Sequence, residues 1–148
     1  MSNNRERPAP PLMISLVGSL YGKMRRECDN IFREKEFPLE MDQIPVLMLL
    51  YYQEGASQQE ISQKLQRDKA SVNRTVSFLL KKDIVTVIQD TADKRKTRVE
   101  LTATGKKLAR QANTALEKFD TAFSSALTEE ERKHFQDIML KLIGKPAT

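Results

Sequence analysis

Basic side chains are concentrated in one segment of the chain, where their number suits contact with a polyanion. Between Lys64 and Arg98 the sequence contains ten lysines and arginines against four aspartates, which gives this segment a net charge of +6. The whole chain of 148 residues has a net charge of only +5. Because the remainder is almost neutral, the distribution favours a localised surface that binds a negatively charged polymer.

The most informative pattern inside this segment is a predicted helix over residues 69–82. On a wheel of about 100° per residue its apolar side chains fall in one arc. The side chains expected to face inward are Val72, Val76, Leu79 and Leu80. The opposite face carries Arg74, which fits the two acceptors of guanine in a major groove, and Asn73, which fits adenine. The predicted DNA contacts of this helix, with its lysines directed at phosphates, are Lys69, Ser71, Asn73, Arg74, Ser77 and Lys81.

The elements on both sides of this helix complete a layout that is typical of DNA binding. Ser57 and Glu60 have the spacing of a capping box, which predicts the start of a short helix, and Asp68 is the predicted N-cap of the next helix. After Asp83 apolar residues alternate in two short runs, separated by the polar residues 90–95, which predicts a β-hairpin. A short helix, a tight turn, a longer basic helix and a basic hairpin form a winged helix-turn-helix.

The hairpin tip offers a second contact with DNA. Arg95 on a thin, protruding loop suits the minor groove, which is narrow and strongly negative over A·T-rich sequence. Asp93 beside it is expected to be structural, holding Arg95 or a backbone N–H in place. The predicted phosphate contacts near the tip are Lys94, Lys96 and Arg98.

Long amphipathic segments lie towards both ends of the chain. Helical spacing begins at Leu12, Asp42 is the predicted N-cap of a second helix with Pro45 in its first turn, and Thr128 with Glu131 predicts the start of the last helix. The terminal apolar stripes exceed what one small lobe covers, which favours a homodimer. We therefore expect a mainly α fold with a small β-hairpin. Its parts are a disordered arm over residues 1–11, a winged helix-turn-helix DNA-binding lobe over 41–102, and a helical dimerisation region over 12–40 and 103–148.

Residues 68–105 resemble the multiple antibiotic resistance regulator (MarR) family of winged helix-turn-helix transcriptional regulators. The resemblance lies in the Asp-x-Arg core of the wing, Asp93 and Arg95, and in the Leu-Thr-x-x-Gly sequence that runs from Leu101 to Gly105. It implies a homodimer that binds a pseudo-palindromic operator in double-stranded DNA, often as a repressor released by a small phenolic or lipophilic effector or by an oxidant. Asp83 stands where the family usually has glycine, which predicts a differently built helix end.

Three interpretations stay open beside this one. Five apolar residues either line an effector pocket or belong to the core: Met13, Tyr21, Met48, Tyr51 and Phe119. The single cysteine, Cys28, is either a redox sensor or a buried inert thiol, and its place on an apolar stripe favours the buried thiol. A winged helix that serves only protein interactions is the rival of DNA binding, although it would have little reason to keep both Arg74 and Arg95.

Catalysis, metal binding and cofactor binding are not expected. The only histidine, His134, has no partner at a spacing that would pair with it, and one histidine with one cysteine cannot supply a His/Cys metal site. The sequence has no phosphate-binding glycine loop. The uncharged run near the N-terminus is too short to cross a bilayer, so a cytoplasmic location without membrane contact is expected.

Overall fold

The computed structural model describes residues 12–147 and divides the chain into two compact units, Met1–Met41 and Asp42–Thr148. The predicted arm over residues 1–11 lies outside the described residues. The first unit contains one long helix, α1 (Met13–Glu34). Apolar side chains in its first half are exposed, whereas Cys28 and Phe32 near its end are buried.

The second unit contains five helices and a two-stranded antiparallel sheet, so the predicted fold class, mainly α with a small β-hairpin, is confirmed. Its elements in chain order are α2 (Ile44–Gln53), α3 (Gln58–Leu65), α4 (Lys69–Lys81), β1 (Val85–Gln89), β2 (Thr97–Leu101), α5 (Ala103–Phe123) and α6 (Glu129–Leu142). A short 3₁₀ turn over Ser124–Ala126 joins the last two helices. The largest side chains that are almost completely buried come from the first five of these elements and include Leu47, Leu50, Ile61, Leu79 and Val99, while α5 adds Ala109 and Ala112.

Most helix starts are set by side chains that lie close in sequence. Ser57 Oγ accepts a hydrogen bond from the backbone N–H of Glu60, while Glu60 Oε2 accepts one from the N–H of Ser57, so the predicted capping box is confirmed. Asp68 Oδ1 accepts a hydrogen bond of 2.8 Å from the N–H of Ser71, as expected of an N-cap. Each contact satisfies a backbone donor that the first turn of a helix leaves unpaired.

The predicted N-cap Asp42 is wrong. Helix α2 begins at Ile44 and follows Gln43, whose backbone is already helical and whose side chain does not cap the helix. Pro45 occupies the first turn as predicted, where its missing N–H breaks no hydrogen bond. The carbonyl of Asp42 instead accepts a hydrogen bond of 2.7 Å from Arg67 Nη1, so a contact across 25 residues shapes this turn.

Helix α4 buries a slightly different arc from the predicted one. Val72, Val76 and Leu79 are buried as predicted, but Leu80 is 41% exposed and Thr75 is buried in its place. Leu80 lies about 90° around the helix from the centre of the buried set, at the edge of the packed face. The prediction that Leu80 faces inward is therefore wrong.

Helix α4 ends at a residue in the left-handed conformation. Asp83 has φ 55°, its N–H bonds the carbonyl of Leu80 at 3.1 Å, and the next N–H, of Ile84, bonds the carbonyl of Leu79 at 2.9 Å. These two bonds form a Schellman motif, in which glycine is the usual residue at the left-handed position. Aspartate thus adopts the backbone geometry that glycine usually supplies. The helix end keeps the usual hydrogen bonds, and it differs from the predicted glycine form only in the backbone strain at Asp83.

The start of α5 is fastened to the end of α4. Thr102 Oγ1 donates a hydrogen bond of 2.7 Å to the carbonyl of Asp83 and accepts one of 3.0 Å from the N–H of Gly105. A Cβ atom at Gly105 would lie 2.0 Å from the carbonyl oxygen of Ile84, so only glycine allows this approach.

The hairpin pairs Val85 with Leu101 and Gln89 with Thr97, as the alternating pattern predicts. Val99 in β2 also exchanges backbone hydrogen bonds of 2.8 and 3.0 Å with Ala56, which extends the sheet by one bridge. Gly55 before this bridge has φ 106°, a conformation that favours glycine. The base of the hairpin is therefore fixed to the segment between α2 and α3. In residues 12–147, no helix combines the length and apolar composition needed to cross a membrane.

Candidate nucleic-acid interface

The outward face of α4 carries the side chains that the sequence assigns to DNA. Five of the six predicted contacts are exposed, and the sixth, Ser71, is half-buried: the exposed residues are Lys69, Asn73, Arg74, Ser77 and Lys81. The pattern follows from the helical repeat, because the opposite side of α4 packs into the core through Val72, Val76 and Leu79. The helix thus presents amide, hydroxyl and cationic groups to solvent from one rigid element.

Two polar side chains on this face have only long hydrogen bonds within the lobe. Asn73 Nδ2 lies 3.5 Å from Gln58 Oε1, and Ser77 Oγ lies 3.5 Å from Asn73 Oδ1. A hydrogen bond at this distance is weak, so a base edge with better geometry can replace it at little cost. The contact with Gln58 also orients Asn73 towards the first turn of α3.

Arg74 lines a cleft of about 480 Å³ together with the turn between α3 and α4. Arg67 in that turn donates to the carbonyl of Asp42, and its own carbonyl accepts a hydrogen bond of 2.5 Å from Ser62 Oγ. Arg67 is half-buried, and its guanidinium is engaged by the backbone just before α2.

The wing between β1 and β2 is a turn closed by its own polar groups. Asp93 Oδ1 accepts a hydrogen bond of 3.1 Å from the backbone N–H of Arg95 and lies 3.9 Å from the Nε atom of that side chain. Gln89 Nε2 donates to the carbonyl of Lys94 at 2.6 Å, and the N–H of Lys96 bonds the carbonyl of Asp93 at 2.9 Å. The side chain of Arg95 is nevertheless 96% exposed. The backbone around Arg95 is thus held by hydrogen bonds, while its cation is accessible.

Arg98 lies apart from the other basic residues of the wing. Its Nη2 atom donates a hydrogen bond of 3.1 Å to the carbonyl of Glu54, beyond the end of α2. Lys94 and Lys96 are exposed nearer the tip. Arg98 is therefore engaged at the base of the wing, whereas the prediction grouped it with the phosphate contacts of the tip.

The five candidate effector residues are divided between the two units. Met13 and Tyr21 in the first unit are 66% and 61% exposed. In the second unit Phe119 is buried, with its ring 5.2 Å from that of Phe123, while Met48 and Tyr51 are half-buried. Phe119 is thus a core residue, whereas the other four are partly or largely exposed and do not belong to the core.

Cys28 is 5% exposed. Burial raises the pKa of its thiol above the usual 9.0, and the neighbouring carboxylates of Asp29 and Glu27 raise the pKa further. A raised pKa lowers the thiolate fraction, and the thiolate is the form that oxidants attack. These surroundings favour an inert thiol over a redox sensor.

Comparisons with known proteins identify relatives of the whole arrangement. A model of the MarR family matches residues 39–97, which include Arg74 and Arg95. The HTH-type transcriptional regulator BilQ of Clostridium symbiosum is 27% identical over 125 residues, covering 82% of this chain and 87% of BilQ. MepR of S. aureus, solved as a DNA complex, has a TM-score of 0.79 at 24% identity and covers 90% of this chain and 97% of its own. BpsR of Bordetella bronchiseptica, whose DNA binding is regulated by 6-hydroxynicotinic acid, has a TM-score of 0.70 at 25% identity and covers 86% of this chain and 98% of its own.

Proposed function

Because this chain belongs to the MarR family and is a DNA-binding transcriptional regulator, we propose that it represses transcription by binding a pseudo-palindromic operator as a homodimer. The observation that carries the proposal is the pair of accessible cations on one lobe: Arg74 on the outward face of α4 and Arg95 at the tip of the wing. A helix and a thin hairpin of this kind fit the major groove and the adjacent minor groove.

Within the major groove, Arg74 and Asn73 contact base edges. An arginine guanidinium donates to both acceptors of guanine, and an asparagine amide pairs with adenine. Ser71 and Ser77 flank them with hydroxyl groups. Lys69 and Lys81, at the two ends of α4, bind phosphates, which fixes the register of the helix without reading sequence.

At the wing, Arg95 enters the minor groove while Lys94 and Lys96 bind the phosphates on either side. Asp93 supports this arrangement through its hydrogen bond to the N–H of Arg95. We leave Arg98 out of the DNA contacts, because its guanidinium already bonds the carbonyl of Glu54.

Apolar surface on the terminal helices supports the homodimer. In α6, which contains no buried residue, five large apolar side chains at or next to the helix are exposed: Phe135, Ile138, Met139, Leu142 and Ile143. The N-cap of α1 and the first half of this helix expose Leu12, Met13, Ile14, Leu16, Val17 and Tyr21. Surfaces of this kind mark protein interfaces. We propose that residues 12–40 and 103–148 form an isologous two-fold contact, so that each lobe over 41–102 meets one half-site.

A small lipophilic or phenolic effector is the proposed signal for release. The structural relative BpsR, which matches 86% of this chain, has its DNA binding regulated by a small molecule, 6-hydroxynicotinic acid. Within the second unit, Met48, Tyr51 and Phe119 are the proposed contacts, since they combine aromatic rings with a flexible thioether. A redox signal through Cys28 is less favoured, because the thiol is buried and its pKa is raised.

Selection of bound sequences from random duplex DNA, followed by titration of variants against the selected operator, tests the function. Arg74→Ala should weaken operator binding by about 1–3 kcal/mol and relax the preference at one position of each half-site. Lys81→Ala is the matched control on the same helix and should weaken operator and random DNA alike. Selection of no shared sequence would contradict the proposed function, and an equal loss on both kinds of DNA for Arg74→Ala would reduce Arg74 to a phosphate contact.

A further inference from the structure

A second cleft, separate from the proposed DNA contacts, opens where the end of α2, strand β2 and the first turns of α5 meet. Its volume is about 630 Å³, within the usual range for small-molecule sites. Of its nine lining residues only Leu50 and Leu101 are aliphatic. The cleft is therefore polar, unlike a pocket for a lipophilic effector.

Five charged side chains line this cleft from three elements: Glu54, Arg98, Glu100, Lys106 and Arg110. Lys106 and Arg110 lie four residues apart, on the same face of α5. Arg98 is held by its hydrogen bond to the carbonyl of Glu54. The other four side chains make no ion pair or hydrogen bond with any residue between 12 and 147.

The two acidic side chains flank Gly55. A Cβ atom on this glycine would lie 2.8 Å from Glu100 Cγ and 3.2 Å from an Arg98 guanidinium nitrogen. The absence of a side chain thus lets Glu100 and Arg98 close over the backbone beside Glu54. Cations and carboxylates thus line one cavity without forming direct ion pairs with one another.

We propose that this cleft binds a small organic phosphate that also carries hydroxyl groups. Lys106 and Arg110 bind the phosphate, because an ammonium and a guanidinium both make charge-assisted hydrogen bonds to its oxygens. Glu54 and Glu100 accept hydrogen bonds from the hydroxyl groups, since ionised carboxylates are acceptors only. The ring of Tyr51 and the aliphatic floor contact the carbon skeleton.

The backbone of DNA is a poorer occupant of the same cleft. A run of phosphates that reached Lys106 and Arg110 would also approach Glu54 and Glu100, where like charges repel. A small ligand avoids this conflict, because it turns its single phosphate towards α5 and its hydroxyl groups towards the carboxylates.

The test is calorimetric titration of the full-length protein, without DNA, with ribose 5-phosphate, ribose and inorganic phosphate as probes. Ribose 5-phosphate should bind, inorganic phosphate should bind at least about tenfold more weakly, and ribose alone should not bind. Failure of ribose 5-phosphate to bind at millimolar concentration, or equal binding of ribose 5-phosphate and inorganic phosphate, would overturn the proposal. Because DNA is absent, the result is independent of operator recognition.

Variants locate the binding in the cleft. The double variant Lys106→Gln/Arg110→Gln should weaken ribose 5-phosphate binding by at least about tenfold. Lys107→Gln is the matched control, because Lys107 is exposed on the same helix but does not line the cleft. Unchanged thermal unfolding shows that the double variant is folded. An equal loss in the control, no loss in the double variant, or weaker operator binding by the double variant without ligand would each refute the assignment.

Discussion

Arg95 has a backbone held by a hydrogen bond and a side chain that is almost fully exposed. Its N–H is held by Asp93 Oδ1, yet its side chain is 96% exposed and the distance from Nε to the carboxylate is 3.9 Å. At that exposure an ion pair contributes little. The guanidinium of Arg95 can therefore bind DNA without losing a strong interaction within the protein.

Arg95→Ala should weaken operator binding most where A·T-rich flanks narrow the minor groove, and least beside G·C-rich flanks. The slope of log affinity against log salt should fall by about one to two for a dimer with two wings. The measurement titrates both proteins against two operators that differ only in their flanks, at several salt concentrations. Lys133→Ala, a removal of charge on exposed α6, serves as the control.

Equal losses on both flanks would make Arg95 a phosphate contact, and no loss on either would remove the wing from the interface. Folding should be unchanged in all cases, because the side chain supports no core.

The exposure of single side chains was partly predictable. Arg74 follows from the helical repeat, because the buried set Val72, Val76 and Leu79 fixes the orientation of α4. The position of Arg98 was not predictable, because its partner is a carbonyl 44 residues away. The prediction that Leu80 faces inward was wrong because Leu80 lies at the edge of the packed arc, where burial depends on how the neighbouring strand lies and not on helical spacing.

Helix α4 owes its two ends to different kinds of interaction. At its start, Asp68 caps the N–H of Ser71. At its end, the backbone of Asp83 is left-handed, at a cost of roughly 1 kcal/mol relative to glycine. A substitution can therefore increase stability at the C-terminal end of α4, whereas the N-terminal end is already capped.

Asp83→Gly should raise the free energy of unfolding by about 0.5–1 kcal/mol, because it removes most of the left-handed strain and an acidic group from the negative end of the helix. Asp83→Ala is the matched control: it removes the same charge but keeps a Cβ atom. Urea denaturation of the three proteins should rank glycine above alanine. If alanine is at least as stable as glycine, the left-handed geometry at residue 83 is contradicted.

Elements with local signals were predicted well. The capping box at Ser57 and the alternation around Val99 depend on residues only a few positions apart. The start of α2 was predicted wrongly: Asp42 does not cap the helix, and its carbonyl accepts a hydrogen bond from Arg67, which is distant in sequence. Local patterns thus predict which elements form better than they predict where each one begins.

At the level of the whole molecule, a single chain leaves large apolar side chains of the terminal helices exposed to solvent. Ile138 is 56% exposed and Leu142 is 66% exposed, one turn apart on α6. Burial of such surface contributes roughly 25 cal/mol per Å². Helical spacing of the apolar residues after Thr128 predicted this surface, whereas the polar cleft around Lys106 and Arg110 was missed, because its residues come from separate parts of the chain.

The double variant Ile138→Glu/Leu142→Glu should dissociate the proposed dimer, because it places charges in the apolar contact. Light scattering at micromolar concentration should give about twice 17.0 kDa for the natural chain and about that mass once for the variant. Lys133→Glu changes charge on the same helix without touching the apolar stripe, so it should remain dimeric. A natural chain that is a stable folded monomer would contradict the dimer.

Thr102 joins the end of α4 to the start of α5 through the carbonyls of Asp83 and Ile84, which precede it by only 19 and 18 residues. Closing so short a loop costs little chain entropy, and contacts between residues near in sequence form quickly. The hairpin and its contact with α5 can therefore form once the first turn of α5 is available, without waiting for α6 to fold. Substitution of Gly105 would disturb this step, since the new side chain would meet the Ile84 carbonyl at the closing point. Gly105 is thus needed for an early contact of the lobe as well as for its final packing.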